Sequence, residues 1–468
     1  MKKTIMNVVY NSFYQVFILI IPLITIPYIS RVLGADSIGV SSFVSSIANF
    51  LGTIIVMGMY QLGSREIARS ASEKLEDNFF SLWLIQAISG ILVILIYVSV
   101  ILFLKTTLKI YLLLEIPFLI GYMFDISWFF VGIEKVKNVI LRNTVVKLVT
   151  VLSVFIFVKS KEDLWIYVLI LSLAPFVANF VFWLSLHMEL KNTSLHHINI
   201  KPYLAGAVAL FLPQIALQLY TNLDDVLVGL LANNKELAYY DQSQKIARII
   251  LGIITSASTV LMPKLAASSN SKKFNTIFKS SLDYTLALSV YFCAMVMINA
   301  SQFIKWYYGS EFVPMIDNMF FVSIIIIFIS YGGVFSNQYM LAKGEFKKFA
   351  ISYYVGGILN VLLNLCLTSV WKANGATVAL ILTELFVCLS RIYLVRDEMN
   401  VRQAVNGHGK YIFIFVFTVI IGTLFPIRIG GNFLNLVIQT LIGTLIFVSQ
   451  MFLYKTKISK DLLAFIRK

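Results

Sequence analysis

From Ser81 to Leu104 the chain reads SLWLIQAISGILVILIYVSVILFL, without one charged side chain, and Lys105 stands at its end. As a helix, about 20 such residues cross the roughly 30 Å hydrocarbon layer of a bilayer. In lipid the backbone must satisfy its own hydrogen bonds, so a run like this is driven to be helical. It has many companions. Apolar stretches separated by short polar punctuation lie near 8–30, 38–61, 79–104, 109–131, 144–159, 164–188, 203–232, 236–262, 275–299, 314–342, 347–371, 374–395, 410–427 and 432–454. The expected fold class is an all-α polytopic membrane protein of about 14 transmembrane helices. Composition agrees: 59% of the 468 residues are hydrophobic and 13% charged, too little charge to cover a soluble domain of this length.

Charge placement tests the count. With the N-terminus in the cytoplasm, 27 of the 38 Lys and Arg fall in inside segments and 9 in outside ones, while Lys245 and Arg248 lie within a span. A shift of one span would scramble that bias, so the positive-inside rule favours a multi-pass plasma-membrane protein with both termini cytoplasmic. The net charge of +15 is thereby a membrane-surface feature; no basic segment is long enough for a nucleic-acid module. The Met1-Lys2-Lys3 start leads into a first span rather than a cleaved signal peptide, whose apolar region would be shorter. No loop is long enough to hold soluble chemistry, and no GxxxxGK[ST] motif occurs. Cys293, Cys366 and Cys388 sit in apolar runs without metal or redox spacing. His196 and His197 have no nearby acid or Cys set. No metal site and no cofactor is expected.

The chain also resembles itself. RVLGADSIGVSSFVSSI, from Arg31, follows the first span, and VGLLANNKELAYYDQSQKI, from Val228, follows the seventh. Both read as a small-residue hairpin entering a helix rich in Ser, Gln and small side chains. SREIARSASEK from Ser64 and MPKLAASSNSK from Met262 end the next spans alike. Six spans separate the copies, an even number, so they share one orientation, as parallel repeats do. The expected organisation is an N-terminal lobe (1–202, spans 1–6), a C-terminal lobe (203–400, spans 7–12) around a central cavity, and appended spans 13–14 with a tail (401–468).

Charges kept inside spans are expensive, roughly 2.5–3.5 kcal/mol each at mid-helix, and persist where they face water or one another. In span 7, Gln214, Gln218, Thr221 and Asp225 share one polar stripe at helical spacing, with Asp224 on its edge. The two carboxylates need not point the same way. Span 8 carries the complement in YYDQSQKIARII: Asp241, Lys245 and Arg248 at i, i+4 and i+7 share a face near mid-bilayer. Packing by a structural ion-pair network is the plainer reading of that face. Glu384 is too deep in ILTELFVCL to snorkel easily. Asp125, Lys147, Asp283 and Asp317 are as well explained by an interface. Pro22, Pro27, Pro117, Pro175 and Pro213 interrupt spans, either as packing kinks or as openings onto a cavity.

PYISRVLGADSIG, LYTNLDDVLVG, AYYDQSQKI, VLMPKLA, SNQYMLAKGEFKKFAISYYVGGILNVLLNLCL and GATVALILTELFV resemble Wzx-type oligosaccharide flippases of the multidrug/oligosaccharidyl-lipid/polysaccharide exporter superfamily. The likeness runs over nearly the whole chain and is weakest in the last two spans. It implies a secondary transporter, not an enzyme, that flips an undecaprenyl-diphosphate-linked oligosaccharide repeat unit from the inner to the outer leaflet of a bacterial plasma membrane, for capsule or other surface polysaccharide. By position, Asp224, Lys245 and Glu384 match charged residues of the family, whereas Asp225 departs from its pattern. On this reading Lys245, Arg248, Arg31, Lys147, Gln214 and Gln218 bind the diphosphate and sugar. Asp224, Asp225, Asp241 and Glu384 balance charge or bind H⁺ or Na⁺ as a coupling ion. The protein is expected as a monomer among membrane lipids, with a polysaccharide polymerase as a further partner. A teichoic-acid-precursor flippase and a multidrug or cation exporter of the same fold are the alternatives. Cationic side chains in a cavity count against the exporter, and short outer loops count against a polymerase or ligase.

Overall fold

The computed structural model describes residues 2–71, 74–190, 198–266 and 271–466, with side chains described over most of these. Among them nine helices are long and apolar enough to cross a membrane. The chain divides into two compact units, Met1–Val226 and Leu227–Lys468.

The first unit opens with α1 (Lys2–Val56), which holds one non-helical residue, Gly34, at φ 76° and ψ 175°. Only glycine adopts that backbone cheaply, so the expected hairpin at RVLGADS is reduced to a single-residue break. Pro22 and Pro27 remain inside the helix. After Met57 and Gly58, both at positive φ, come α2 (Met59–Arg69) and α3 (Leu75–Phe103). The fourth expected span is not one helix but three: α4 (Lys109–Leu114), α5 (Ile116–Met123) and α6 (Ser127–Gly132). Pro117 opens α5, and ahead of α6 the Asp125 side chain accepts from the Ser127 amide at 2.9 Å.

Breaking a helix within an apolar layer frees carbonyls that must find donors. Gln86, fully buried on α3, supplies them: its Nε2 donates to the carbonyls of Tyr122 (2.7 Å) and Asp125 (2.9 Å). Trp83 and Trp183 donate ring N–H groups to Met123 and Phe124 carbonyls, and Trp128 returns a bond to Gln86 Oε1. Phe79, Trp128, Phe129, Phe130 and Phe182 complete an aromatic core around this break.

Next are α7 (Val136–Phe157) and α8 (Leu164–Leu186). Helix α7 begins eight residues before the expected 144, because the helix absorbs Arg142 instead of ending there. The Arg142 guanidinium lies 3.7 Å over the Phe182 ring and donates to Asn179 Oδ1 at 2.9 Å. Asn179 in turn donates to the Gly121 carbonyl. At Gly121 α5 and α8 approach so closely that a β-carbon would sit 2.6 Å from the Phe176 amide nitrogen. Helix α9 (Lys201–Leu231) joins this unit through Tyr203, Ala207 and Leu210, which pack on the α2–α3–α6 core.

The second unit contains α10 (Asn234–Ala266), α11 (Ser271–Tyr307), α12 (Ile316–Val322), α13 (Ile325–Gly333), a π-helical turn Val334–Met340 and α14 (Phe346–Leu394). It ends with α15 (Val401–Ala404), α16 (Gly409–Leu424), α17 (Asn432–Leu453) and α18 (Lys457–Ile466). Helix α14 contains one non-helical residue, Lys372, at φ 51°, between the two spans expected at 347–371 and 374–395. Asn233 caps α10 by accepting from the Glu236 amide. The spans differ in burial: the apolar stretch of α11 is 61% buried and that of α7 only 17%. Helix α11 is therefore the axis of the second unit, packed by Tyr411, Ile414, Phe447 and Met451 of α16 and α17 on one side. Helix α7 presents Val145, Val149, Leu152 and Ile156 outward, as a lipid-facing helix does.

Candidate functional site

Span 8 places its polar run on the first half of α10. Tyr240, Gln242, Ser243 and Gln244 are buried, as is Asp241 at 6% exposure, whereas Lys245 and Arg248 are exposed. Lys245 Nζ pairs with Asp241 Oδ2 at 2.6 Å, across one helical turn. Arg248 Nη2 donates to Gln244 Oε1 at 3.0 Å. The buried side of this turn is fixed by Tyr308, whose hydroxyl donates to the Gln242 carbonyl at 3.1 Å. One face of the helix thus anchors in the second unit while the other presents two cations one turn apart. Both are multidentate donors, the ammonium with three N–H groups and the guanidinium with five.

Span 7 separates its two aspartates. Asp224 is 1% exposed, while Asp225 is half-buried and accepts from Ser46 Oγ on α1 at 3.2 Å. Adjacent helical residues point about 100° apart, and here that angle sends one carboxylate into the packing and the other to a more open place. Gln214, half-buried on α9, donates from Nε2 to Gln61 Oε1 on α2, and Gln218 is half-buried one turn on. The side chains of Thr221 and Pro213, like His196 and His197, lie outside the described residues. Arg31, one turn before Gly34, and Lys147 on α7 are exposed.

The expected residues therefore fall into two sets. Arg31, Lys147, Gln214, Gln218, Asp224 and Asp225 belong to the first unit; Asp241, Lys245, Arg248 and Glu384 belong to the second. Glu384 is 3% exposed on α14. Two turns along, Arg391 is also buried, its Nε donating to Ser352 Oγ at 3.2 Å and its guanidinium 4.8 Å over the Tyr353 ring.

Two buried carboxylates gain weight that the sequence did not give them. Glu115, 1% exposed at the α4–α5 break, accepts from Ser45 Oγ at 2.8 Å. Its signal was an acid two residues before Pro117 inside an apolar run. Asp283 on α11 is 3% exposed and meets His408 Nε2 at 3.1 Å and Lys457 Nζ at 3.4 Å. His408 Nδ1 is 2.8 Å from the Tyr331 hydroxyl. These partners lie 125 and 174 residues away, and no local spacing announces them. Among the described residues, no group of three His, Cys, Asp or Glu side chains is placed to hold a metal ion.

Comparison with known proteins gives the frame for these residues. Residues 5–269 match the protein family described as "Polysaccharide biosynthesis protein". A putative O-antigen transporter of Escherichia coli (strain K12) is 24% identical over 404 residues, covering 84% of this chain and 96% of the relative. A putative O-antigen transporter of Shigella dysenteriae is 22% identical over 382 residues, covering 80% and 96%. Among solved structures, the inward closed conformation of the lipid II flippase MurJ superposes with a TM-score of 0.78 at 14% identity, over 98% of this chain and 100% of that one. An inward-facing multidrug resistance MATE family transporter of the MOP superfamily superposes with a TM-score of 0.56 at 15% identity, over 83% of this chain and 99% of that one.

Proposed function

Because the chain belongs to the polysaccharide biosynthesis protein family, we propose that it flips an undecaprenyl-diphosphate-linked oligosaccharide repeat unit from the inner to the outer leaflet of a bacterial plasma membrane by alternating access. The O-antigen transporters it resembles support a lipid-linked sugar as cargo. The observation that carries the reading is the exposed cationic face of α10, Lys245 and Arg248, on a helix whose opposite side is buried. A diphosphate loses its hydration on entering an apolar layer, and charge-assisted N–H···O bonds are the strongest replacement. Asp241 holds Lys245 in place between substrates and would yield it to the diphosphate, which offers more acceptor oxygens. Arg31, Lys147, Gln214 and Gln218 are the further substrate contacts in this scheme. Asp224, Asp225 and Glu384 are the candidates for H⁺ or Na⁺ coupling.

The membrane potential favours the direction. With the cytoplasm negative, moving about two uncompensated negative charges outward gains roughly 4.6 kcal/mol per 100 mV. Export then needs no ion gradient, and a coupling ion would serve to reset the empty carrier.

Fourteen spans with both termini cytoplasmic remain our topology. Gly34 and Lys372 each divide a long helix into two span lengths, α9 and α10 are 31 and 33 residues long, and α16 is a shorter apolar helix. The junctions at Gly34 and Asn233 support parallel repeats, spans 1–6 (1–202) and 7–12 (203–400), with 13–14 (401–468) appended. The repeat boundary by sequence and the packing boundary at Val226 are separate things, since α9 opens the second repeat yet packs on α2. A teichoic-acid precursor on the same lipid diphosphate would meet the same cations. A cationic drug would be repelled by them.

The test is reconstitution. Protein in liposomes is given a labelled polyprenyl-diphosphate oligosaccharide, and its appearance on the opposite face is followed with and without H⁺ or Na⁺ gradients. Lys245→Ala and Arg248→Ala are expected to slow flipping at least about tenfold each. Normal rates in both variants overturn the cationic-cradle mechanism.

A further inference from the structure

A second cluster of cations lies far along the chain from α10, where the α15–α16 connection and α18 meet α11. Lys279, Lys410, Lys455, Lys457 and Lys460 line a cavity of about 260 Å³ there. Two carboxylates share it, Asp283 and Asp461, so the wall carries a surplus of three positive charges. Both carboxylates are already engaged, Asp283 with His408 and Lys457 and Asp461 with the Tyr284 hydroxyl at 3.0 Å. The lysines are positioned but not saturated. Lys279 donates to the Gln403 carbonyl and Lys410 to the Tyr454 carbonyl, each at 3.0 Å, which uses one of three ammonium hydrogens apiece. Among the described residues, neither Lys455 nor Lys460 has a carboxylate within 4.0 Å. Lys455 is moreover held at φ 47°, a left-handed conformation usually given to glycine or asparagine after a helix.

Like charges gathered without their counter-charges repel, and a fold tolerates that where an anion fits among them. The surroundings say what carries the anion. Exposed apolar side chains adjoin the cavity's lining residues along the chain: Phe413 on α16 follows Lys410 and Tyr411, Leu453 on α17 precedes Lys455, and Leu462 and Leu463 on α18 follow Asp461. Phe413 packs edge-to-face on Tyr454 at 5.2 Å, joining that apolar surface to the turn that bears Lys455. On α18 Leu462 lies across the helix from the two lysines while Leu463 borders Lys460, one turn away, so basic and apolar side chains adjoin. A soluble phosphate would use the lysines alone, whereas a lipid uses both surfaces.

We propose that this pocket binds the phosphate headgroup of an anionic glycerophospholipid, with the acyl chains running along the exposed faces of α16 and α17. In the proposed topology the pocket faces the cytoplasmic leaflet, where anionic headgroups meet basic pockets between spans. Such a lipid would tie α18 and the last two spans to α11 and would be a structural ligand distinct from the transported one.

The probe is phosphatidylglycerol. Full-length protein is placed in phosphatidylcholine nanodiscs doped with phosphatidylglycerol, released, and its retained lipid counted by native mass spectrometry. The double variant Lys455→Gln/Lys460→Gln is expected to retain phosphatidylglycerol about tenfold less than wild type. The equal-charge control Lys201→Gln/Lys347→Gln, from exposed lysines elsewhere, is expected to stay within about twofold. Equal losses in both variants would mean diffuse surface attraction and overturn the site. Complete displacement by inorganic phosphate would mean a soluble-anion pocket and overturn the lipid assignment. Should the double variant fail to fold, the single variants are measured, each with an expected loss of about threefold. No transport is read in this experiment, so its outcome and that of the flipping assay are independent.

Discussion

Two buried carboxylates, one in each unit, have opposite neighbourhoods. Asp283 in the second unit is met by a histidine and a lysine. Glu115 in the first unit is met by a serine hydroxyl, and among the described residues no Lys, Arg or His lies within 4.0 Å of it. Taking an ionised carboxylate out of water costs several kcal/mol, which only close opposite charge and hydrogen bonds offset. Asp283 has that compensation, and α11, the start of α16 and the start of α18 come together around it. Glu115 lacks it, and a hydroxyl is its side-chain partner. A mutation should therefore hurt in proportion to the charge it leaves without a partner, not to how deeply the residue is buried.

The largest effect tests the compensated site. Asp283→Ala strands His408 and Lys457 beside an empty space. Removing one partner of a buried pair costs about 3–5 kcal/mol, and because Lys457 keeps a third of its side chain exposed, the lower end of that range applies, about 3 kcal/mol. Thermal unfolding in detergent reads it. The double variant Asp283→Ala/Lys457→Met should recover part of the loss, since the stranded ammonium is gone. An Asp283→Ala protein as stable as wild type would mean that the cluster holds nothing together.

A purely steric change comes next. In Gly121→Ala the new β-carbon would meet the Phe176 backbone nitrogen at 2.6 Å, and backbone cannot swing aside as a side chain can. A loss of about 1–3 kcal/mol is expected, again by thermal unfolding, with flipping slowed only as far as folded protein is lost. The same Asn179 that contacts the Gly121 carbonyl contacts Arg142, so Arg142 should become more accessible to an arginine-modifying reagent in this variant.

Smaller still is the pair on α10. Lys245 keeps 46% of its side chain exposed, and ion pairs so placed are worth about 0.2–1 kcal/mol. A double-mutant cycle on Asp241→Asn and Lys245→Gln should return a coupling in that range for stability, while flipping falls much further with Lys245→Gln. Coupling above about 2 kcal/mol would make the pair a packing device, the plainer reading of this face.

Why some of this was legible in the sequence and some was not follows from range. Spans announce themselves because hydropathy is summed over about 20 neighbours, and a lone Gly34 or Lys372 between two apolar runs marks a break locally. The division of the fourth span into α4, α5 and α6 was not legible, since its freed carbonyls are satisfied by Gln86 and Trp183, which lie dozens of residues away on either side. The early start of α7 was hidden for the same reason, since Arg142 is held in part by the Ala178 carbonyl, Asn179 and the Phe182 ring of α8. On α10 the i, i+4 spacing of Asp241 and Lys245 was enough to place both on one face. On α9 the spacing separated Asp224 from Asp225 in angle, but which of them is buried depends on what α1 and the rest of the unit bring against them.

The smallest expected effect is also the sharpest, because burial alone would predict a large one. Glu115→Gln keeps the shape of the side chain and an acceptor for Ser45 while removing the ability to ionise. Because no described Lys, Arg or His faces it, the change strands no cation and is expected to cost less than about 0.5 kcal/mol, within the range of ordinary surface substitutions. Asp283→Asn, the same chemical change in the other unit, removes the charge that faces His408 and Lys457 and should cost at least about 2 kcal/mol. Both isosteres are to be measured side by side by thermal unfolding in the same detergent. Equal losses would mean that an unseen counter-charge serves Glu115 as His408 and Lys457 serve Asp283, and the contrast between the two units would vanish. A loss confined to Asp283→Asn would establish that compensation, and not depth, sets the energetics of a charge in this fold.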